Sequence, residues 1–154
     1  MNREPAVFDT FDIVRTYKAS PERVFTAWAD PAQKRRWFVE GERWTIDSYE
    51  TDFREGGVER SIFRFDDGPV ITNDTVFHDI VPNRRIVSSY SMTMAGKRFS
   101  VSLSTLEFEP DPSSSGTRLR YTEQAAFFEG ADGAKGRREG CAELLEKLAA
   151  ELGE

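Results

Sequence analysis

The stretch TRLRYTEQAAFF, residues 117–128, decides how this chain folds. Side chains alternate along a strand, so Leu119, Tyr121, Ala125 and Phe127 share one face. Glu123 falls in the same row. A buried carboxylate without a partner does not stay ionised; it takes up a proton or requires a cation. The row therefore either reaches a wet rim at Glu123, or lines a sheet that encloses a hollow with something polar in it.

Upstream of this strand the pattern is strands and tight turns. WTIDSYETDF is followed by the turn EGG (55–57), VERSIFRF by DDGP (66–69), and VITNDTVFHDIV by PNR (82–84). RIVSSYSMTM then leads to AGK (95–97), and RFSVSLSTLEFE to the loop PDPSSSG (110–116). Such short connections imply an antiparallel meander. In RFSVSLSTLEFE the apolar parity passes from Phe99, Val101 and Leu103 to Leu106 and Phe108, which predicts a bulge near Ser104–Thr105 and a strongly bent sheet.

Residues 1–9 read as a flexible lead-in, and FDIVRTYKA (11–19) as a first strand. Ser20-Pro21 is an N-cap with proline at the first helical position, and Asp30-Pro31 repeats the signal. Two short helices follow, about 21–28 and 31–37. The basic cluster KRRWF (34–38) reads as a solvated helix end. The last helix, about 133–152, carries Ala134, Cys141, Leu144, Leu145, Leu148 and Leu152 on one stripe, with Arg137 and Arg138 flanking it. The order is β-αα-β₆-α, an α+β class: a curved antiparallel sheet of about seven strands wrapped around a long C-terminal helix, in one domain from residue 10 to 152.

At 154 residues the chain buries enough surface to fold without staples. One cysteine (Cys141) and one histidine (His78) make neither a disulfide nor a zinc site, and a reducing, cytoplasmic setting is expected. No apolar run reaches the length of a membrane span. A net charge of −6 disfavours nucleic acid as a partner. Dinucleotide, P-loop and nucleophile-elbow motifs are missing, so no cofactor and no metal are expected.

The segments SPERVFTAWADPAQKRRWF (20–38), DFREGG (52–57), DIVPNRRIVSSYSMT (79–93), GTRLRYTEQAAFFEG (116–130) and REGCAELLEKLAAEL (138–152) resemble the START-like, birch-pollen-allergen-like helix-grip superfamily. Within it the chain is most similar to the group named after the C-terminal domain of the activator of the heat-shock-90 chaperone ATPase. The resemblance implies a helix-grip fold with a ligand cavity. The superfamily includes co-chaperone domains, polyketide cyclases and lipid carriers, and fold alone does not choose among them.

A sheet gripping a helix leaves a hollow between them. Strand parity places Ile86, Tyr90 and Met92 on one inner row, Phe99, Val101 and Leu103 on a second, and Leu119, Tyr121, Glu123 and Phe127 on a third. Trp37 and Trp44 are expected to wall one end. Glu123 needs a cation: Arg137 is favoured, with Arg138, Arg60 and Arg64 as alternatives. The leading expectation is a binder of a lipophilic or amphipathic small molecule, held by Glu123, Tyr121, Tyr90, Met92, Phe99, Trp44 and Arg137. An enzyme of the polyketide-cyclase or hydrolase kind would use Glu123 or His78 as catalytic proton carrier, and the two would face each other across the cavity. A co-chaperone-type interaction module would instead show an exposed apolar patch or charged stripe outside it, and binding that survives plugging the hollow. Cys141 reads as an inert buried thiol. A homodimer through an exposed sheet edge is compatible with the fold, and a chaperone partner is implied only by the name of the group.

Overall fold

A computed structural model describes residues 5–128 and 133–154, with the side chains of 133 and 134 outside the description. Seven strands form one antiparallel sheet: β1 (Val7–Tyr17), β2 (Trp44–Thr51), β3 (Val58–Phe65), β4 (Ile71–Val81), β5 (Arg85–Met94), β6 (Lys97–Pro110) and β7 (Thr117–Phe127). Their order across the sheet is β1-β7-β6-β5-β4-β3-β2. The meander from β2 to β7 thus ends against β1. The tight turns hold it in register; Ala95 and Gly96 both take positive φ (51° and 81°), the geometry that two-residue hairpins require.

Between β1 and β2 lie α1 (Pro21–Ala29) and α2 (Pro31–Lys34), which runs into a π-helical turn at Arg35–Val39. The Ser20 hydroxyl accepts from the Arg23 amide at 3.2 Å and starts α1. The C-terminal helix α3 (Gly133–Glu151) lies on the concave face of the sheet. Cys141, Leu145 and Leu148 are buried there, and the Tyr17 hydroxyl ties the helix to β1 through the Leu145 carbonyl at 2.9 Å. Burying Leu145 and Leu148 contributes about 1.5–3 kcal/mol each. Aromatic rings pack against α1, where Phe25 meets Phe108 edge-on at 5.4 Å and Trp28 meets Trp37 at 4.6 Å.

Several expectations change. The first strand begins at Val7, because residues 7–10 pair with 124–127 of β7. The 104–105 stretch of β6 is regular against both neighbours; the irregularity lies where Met92 and Thr93 pair with Ser100 and Arg98, which leaves Phe99 as the extra residue. Below that bulge the inner row of β6 is Ser100, Ser102, Ser104, Leu106 and Phe108, while Val101 and Leu103 face outward and are exposed. The physical reason lies in what this row faces: a buried ion pair that needs hydroxyl partners. On β3 the inner row is Glu59 and Ser61, continued by Phe63, and Arg60 and Arg64 form exposed ion pairs with Asp74 and Asp47.

Candidate functional site

Glu123 sits in the middle of β7 with no solvent exposure. Its Oε1 accepts from the Tyr90 hydroxyl at 2.7 Å and the Tyr121 hydroxyl at 2.5 Å, with the Cys141 thiol at 3.7 Å. Its Oε2 accepts from the Ser102 hydroxyl and from Arg137 Nη1, both at 3.0 Å. These donors come from β5, β7, α3 and β6, so Glu123 stitches the helix to three strands. Strand alternation makes this possible: Tyr121 and Glu123 are two apart on β7, and Ser104 pairs directly with Glu123 across β6.

Arg137 enters from the first half of α3, its side chain 12% exposed. Besides Glu123, its Nη1 donates to Tyr90 at 2.9 Å and Ser102 at 3.0 Å, and its Nη2 donates to Ser100 at 2.7 Å. The guanidinium also lies 5.2 Å from the Phe127 ring centre and 5.4 Å from that of Tyr90. Burial pulls its pKa down, but Tyr90 and Glu123 outweigh that and leave it above its ordinary value. Burial, then the Glu123 charge, push the Tyr90 phenol up, and burial does the same to Tyr121. The Cys141 thiol is pushed up to about 12, by burial first and Glu123 second. Such a thiol is a poor nucleophile at neutral pH.

Above this cluster, between the sheet and α3, lies a cavity of about 540 Å³. Tyr90, Tyr121, Met92, Phe99, Trp44 and Arg137 all line it. Glu123 does not: it lies behind the wall that Tyr90, Tyr121 and Arg137 make. Trp37 is packed in the core and donates to the Ala27 carbonyl, so of the two expected tryptophans Trp44 walls the cavity, joined there by Trp28. Arg138 is exposed, 5.8 Å from the Phe11 ring centre. His78 stands at a β4 irregularity on the outer face, exposed and 2.7 Å from the Ser89 hydroxyl. It shares no cavity with Glu123. By strand parity His78 goes with Val76 and Ile80; the register slips between Phe77 and Asp79, and His78 is exposed on the outer face like Val76.

Sequence reasoning missed a second buried pair. Lys34, read as part of a solvated helix end, is only 6% exposed and donates to both oxygens of Glu59, at 2.9 and 3.0 Å. Tyr49 donates to the same carboxylate at 3.0 Å. The ammonium sits among the rings of Phe38, Phe77 and Trp28, at 4.6, 5.6 and 5.8 Å. Lys34 and Glu59 both line the cavity. The signal available was Glu59 itself, in register with Ser61 and Phe63 by period two. Across the floor between the two pairs run Ser61, Asn73, Thr75, Ser88 and Ser104. Among the described residues no cluster of three or more His, Cys, Asp or Glu side chains could hold a metal.

The family described as "Activator of Hsp90 ATPase homolog 1-like protein" matches residues 18–153. A crystal structure from Rhizobium loti is similar over 96% of this chain and 99% of that one, at 50% identity and TM-score 0.88. A Rhizobium leguminosarum protein covers 99% of each chain at 37% identity and TM-score 0.92. A Staphylococcus aureus protein of unknown function, 18% identical over 96% of this chain and 95% of that one, shares the fold at TM-score 0.78. Among curated proteins none matches. With the family match spanning all but the first strand, and a sheet that grips its last helix, this chain belongs to the Activator of Hsp90 ATPase homolog 1-like family of START-like helix-grip proteins.

Proposed function

We propose that the chain binds a lipophilic or amphipathic small molecule in the cavity between the sheet and α3. The observation that carries this is the 540 Å³ hollow, walled by aromatic and aliphatic side chains with two buried ion pairs at its edges. A cavity of this size falls in the range of small-molecule sites, apolar with a few placed polar groups. Met92 and Phe99 supply adaptable apolar wall, and Trp44 stands 38% exposed at the margin. Proton transfer by Glu123 has less support, because both its oxygens are already taken by donors.

Titration with N-phenyl-1-naphthylamine, a neutral fluorescent lipophile, tests this. Ser61→Phe is the matching plug, because Ser61 lines the cavity from the inner row of β3. Saturable fluorescence enhancement in the wild type, weakened at least tenfold in the plugged variant, is expected. Equal enhancement in both would place the dye elsewhere and remove the support.

A second reading, an interaction module or homodimer, rests on a different surface. On the outer face Phe8 is 76% exposed, and Val101 and Leu103 lie beside it around a shallow groove. Self-association or partner binding there would survive Ser61→Phe and be lost in Phe8→Ser.

A further inference from the structure

The hydrogen bonds around Arg137 bear on the head group of a ligand in the cavity. This rests on the cavity reading above. Each oxygen of Glu123 already has at least two donors. The Tyr90 and Ser102 hydroxyls each donate to Glu123 and accept from Arg137. The Tyr121 hydroxyl donates to Glu123 and accepts from Cys141. None of these groups has a donor to spare.

Arg137 does. A guanidinium carries five N–H groups. Nη1 donates to Ser102, Tyr90 and Glu123, and Nη2 donates to Ser100. The Nε–H and one Nη2–H have no partner among the described residues, and Nε and Nη2 share one edge of the guanidinium plane. Two parallel N–H groups in this fork match the two lone pairs of a carboxylate or the acceptor oxygen of a carbonyl. Arg137 lines the cavity, with Phe99, Met92 and Phe127 around it.

Two carboxylates line this cavity, Glu59 and, exposed on α3, Glu143. Glu123 is compensated by Arg137 and shielded behind the wall, and Glu59 is compensated by Lys34 through both its oxygens. An ammonium head seated at Arg137 would therefore meet a guanidinium, while Glu143 lies six residues further along α3, in the field of Lys147. We propose that the cavity selects lipophilic molecules with an oxygen-acceptor head, a carboxylate or a carbonyl, seated on the Nε/Nη2 edge of Arg137, and rejects lipophilic amines. Glu123 does not touch the ligand; it holds Arg137 in place.

The test uses dodecanoate, 2-dodecanone and dodecylamine, each displacing N-phenyl-1-naphthylamine from the full chain. The net charge of −6 attracts the amine and repels the acid non-specifically, so the expected order runs against the overall field. Expected is at least tenfold tighter binding of the acid or the ketone than of the amine. Which of the two leads says whether the natural head is an acid or a carbonyl. Arg137→Lys keeps the charge but loses the fork, and should cut the preference to below threefold. Arg137→Met with Glu123→Gln does the same without leaving a buried charge unpaired, should Arg137→Lys fold poorly. An amine bound as tightly as the acceptors in the wild type overturns the proposal, as does a preference that survives Arg137→Lys. If the dye binds the cavity and head groups make no difference, the head-group assignment alone falls. If neither the dye nor any of the three binds, the cavity reading falls and this one with it.

Discussion

Replacing Glu123 by glutamine keeps its shape and removes its charge, and the structure says what that costs. Tyr90, Tyr121 and Cys141 converge on one carboxylate oxygen, Ser102 and Arg137 on the other. An amide has one acceptor oxygen, so its NH₂ must face donors on one side. The tyrosine hydroxyls can turn and accept, which lets the amide oxygen stay with Arg137 and Ser102. The lost counter-charge is not recovered, because the Arg137 side chain is only 12% exposed. Removing one partner of a buried pair costs about 3–5 kcal/mol. At about 2–4 °C per kcal/mol for a chain of this size, the melting midpoint should fall by roughly 6–20 °C. Urea unfolding of Glu123→Gln, Arg137→Met and the double variant gives the coupling directly. The double variant should lose less than either single one, since no charge is left unpaired. A loss below about 1 kcal/mol for Glu123→Gln, or an additive double variant, would refute the reasoning by showing that the pair is solvated.

The same logic applies at Lys34: Lys34→Met alone should cost about 3–5 kcal/mol in urea unfolding, and Lys34→Met with Glu59→Gln distinctly less. Alkaline pH should destabilise the fold. The folded-state pKa of Cys141, at about 12, lies above its unfolded value near 9.0, and Tyr90 and Tyr121 are also raised. Their stability contribution is complete below those unfolded values and is lost as pH rises, by about 1.4 kcal/mol per pH unit for each group. Urea midpoints should hold to pH 9 and decline beyond it, with Cys141→Ala delaying the onset; a flat profile to pH 11 would contradict the burial of these groups. Gly140 lies within α3, and a Cβ there would meet nothing within 4 Å. Gly140→Ala should therefore stabilise the helix by about 0.5–1 kcal/mol, read as a raised melting midpoint.

Much of the fold was legible because local signals agreed with one another. Ser20-Pro21 and Asp30-Pro31 mark helix starts by proline at the first helical position, with a side-chain cap at Ser20 only, and the turn residues between strands leave little choice but a meander. The period-two row 119–127 left Glu123 either at a wet rim or inside with a cation; it is buried, and its cation is the favoured Arg137 from the flank of the helix stripe. β6 was not legible in the same way. Apolar periodicity assumes that the interior is dry, so Val101 and Leu103 read as inward and Ser100, Ser102 and Ser104 as outward. The interior here is polar where β6 crosses it, and the hydroxyls serve Arg137 and Glu123. Pairing with β7 would have revealed this, since Ser104 stands opposite Glu123 and Ser102 opposite Ala125. Lys34 escaped notice for a related reason: a lysine among arginines reads as solvated until its carboxylate partner, on a strand 25 residues away, is known.

The central claim is that the cavity holds a lipophilic guest. Native mass spectrometry of protein purified gently from cells tests it most directly, with wild type and Ser61→Phe side by side. The account predicts a bound small molecule on the wild type, with an acidic or carbonyl oxygen, that is lost from the plugged variant while its fold and melting behaviour persist. A guest retained at equal occupancy in Ser61→Phe would contradict it.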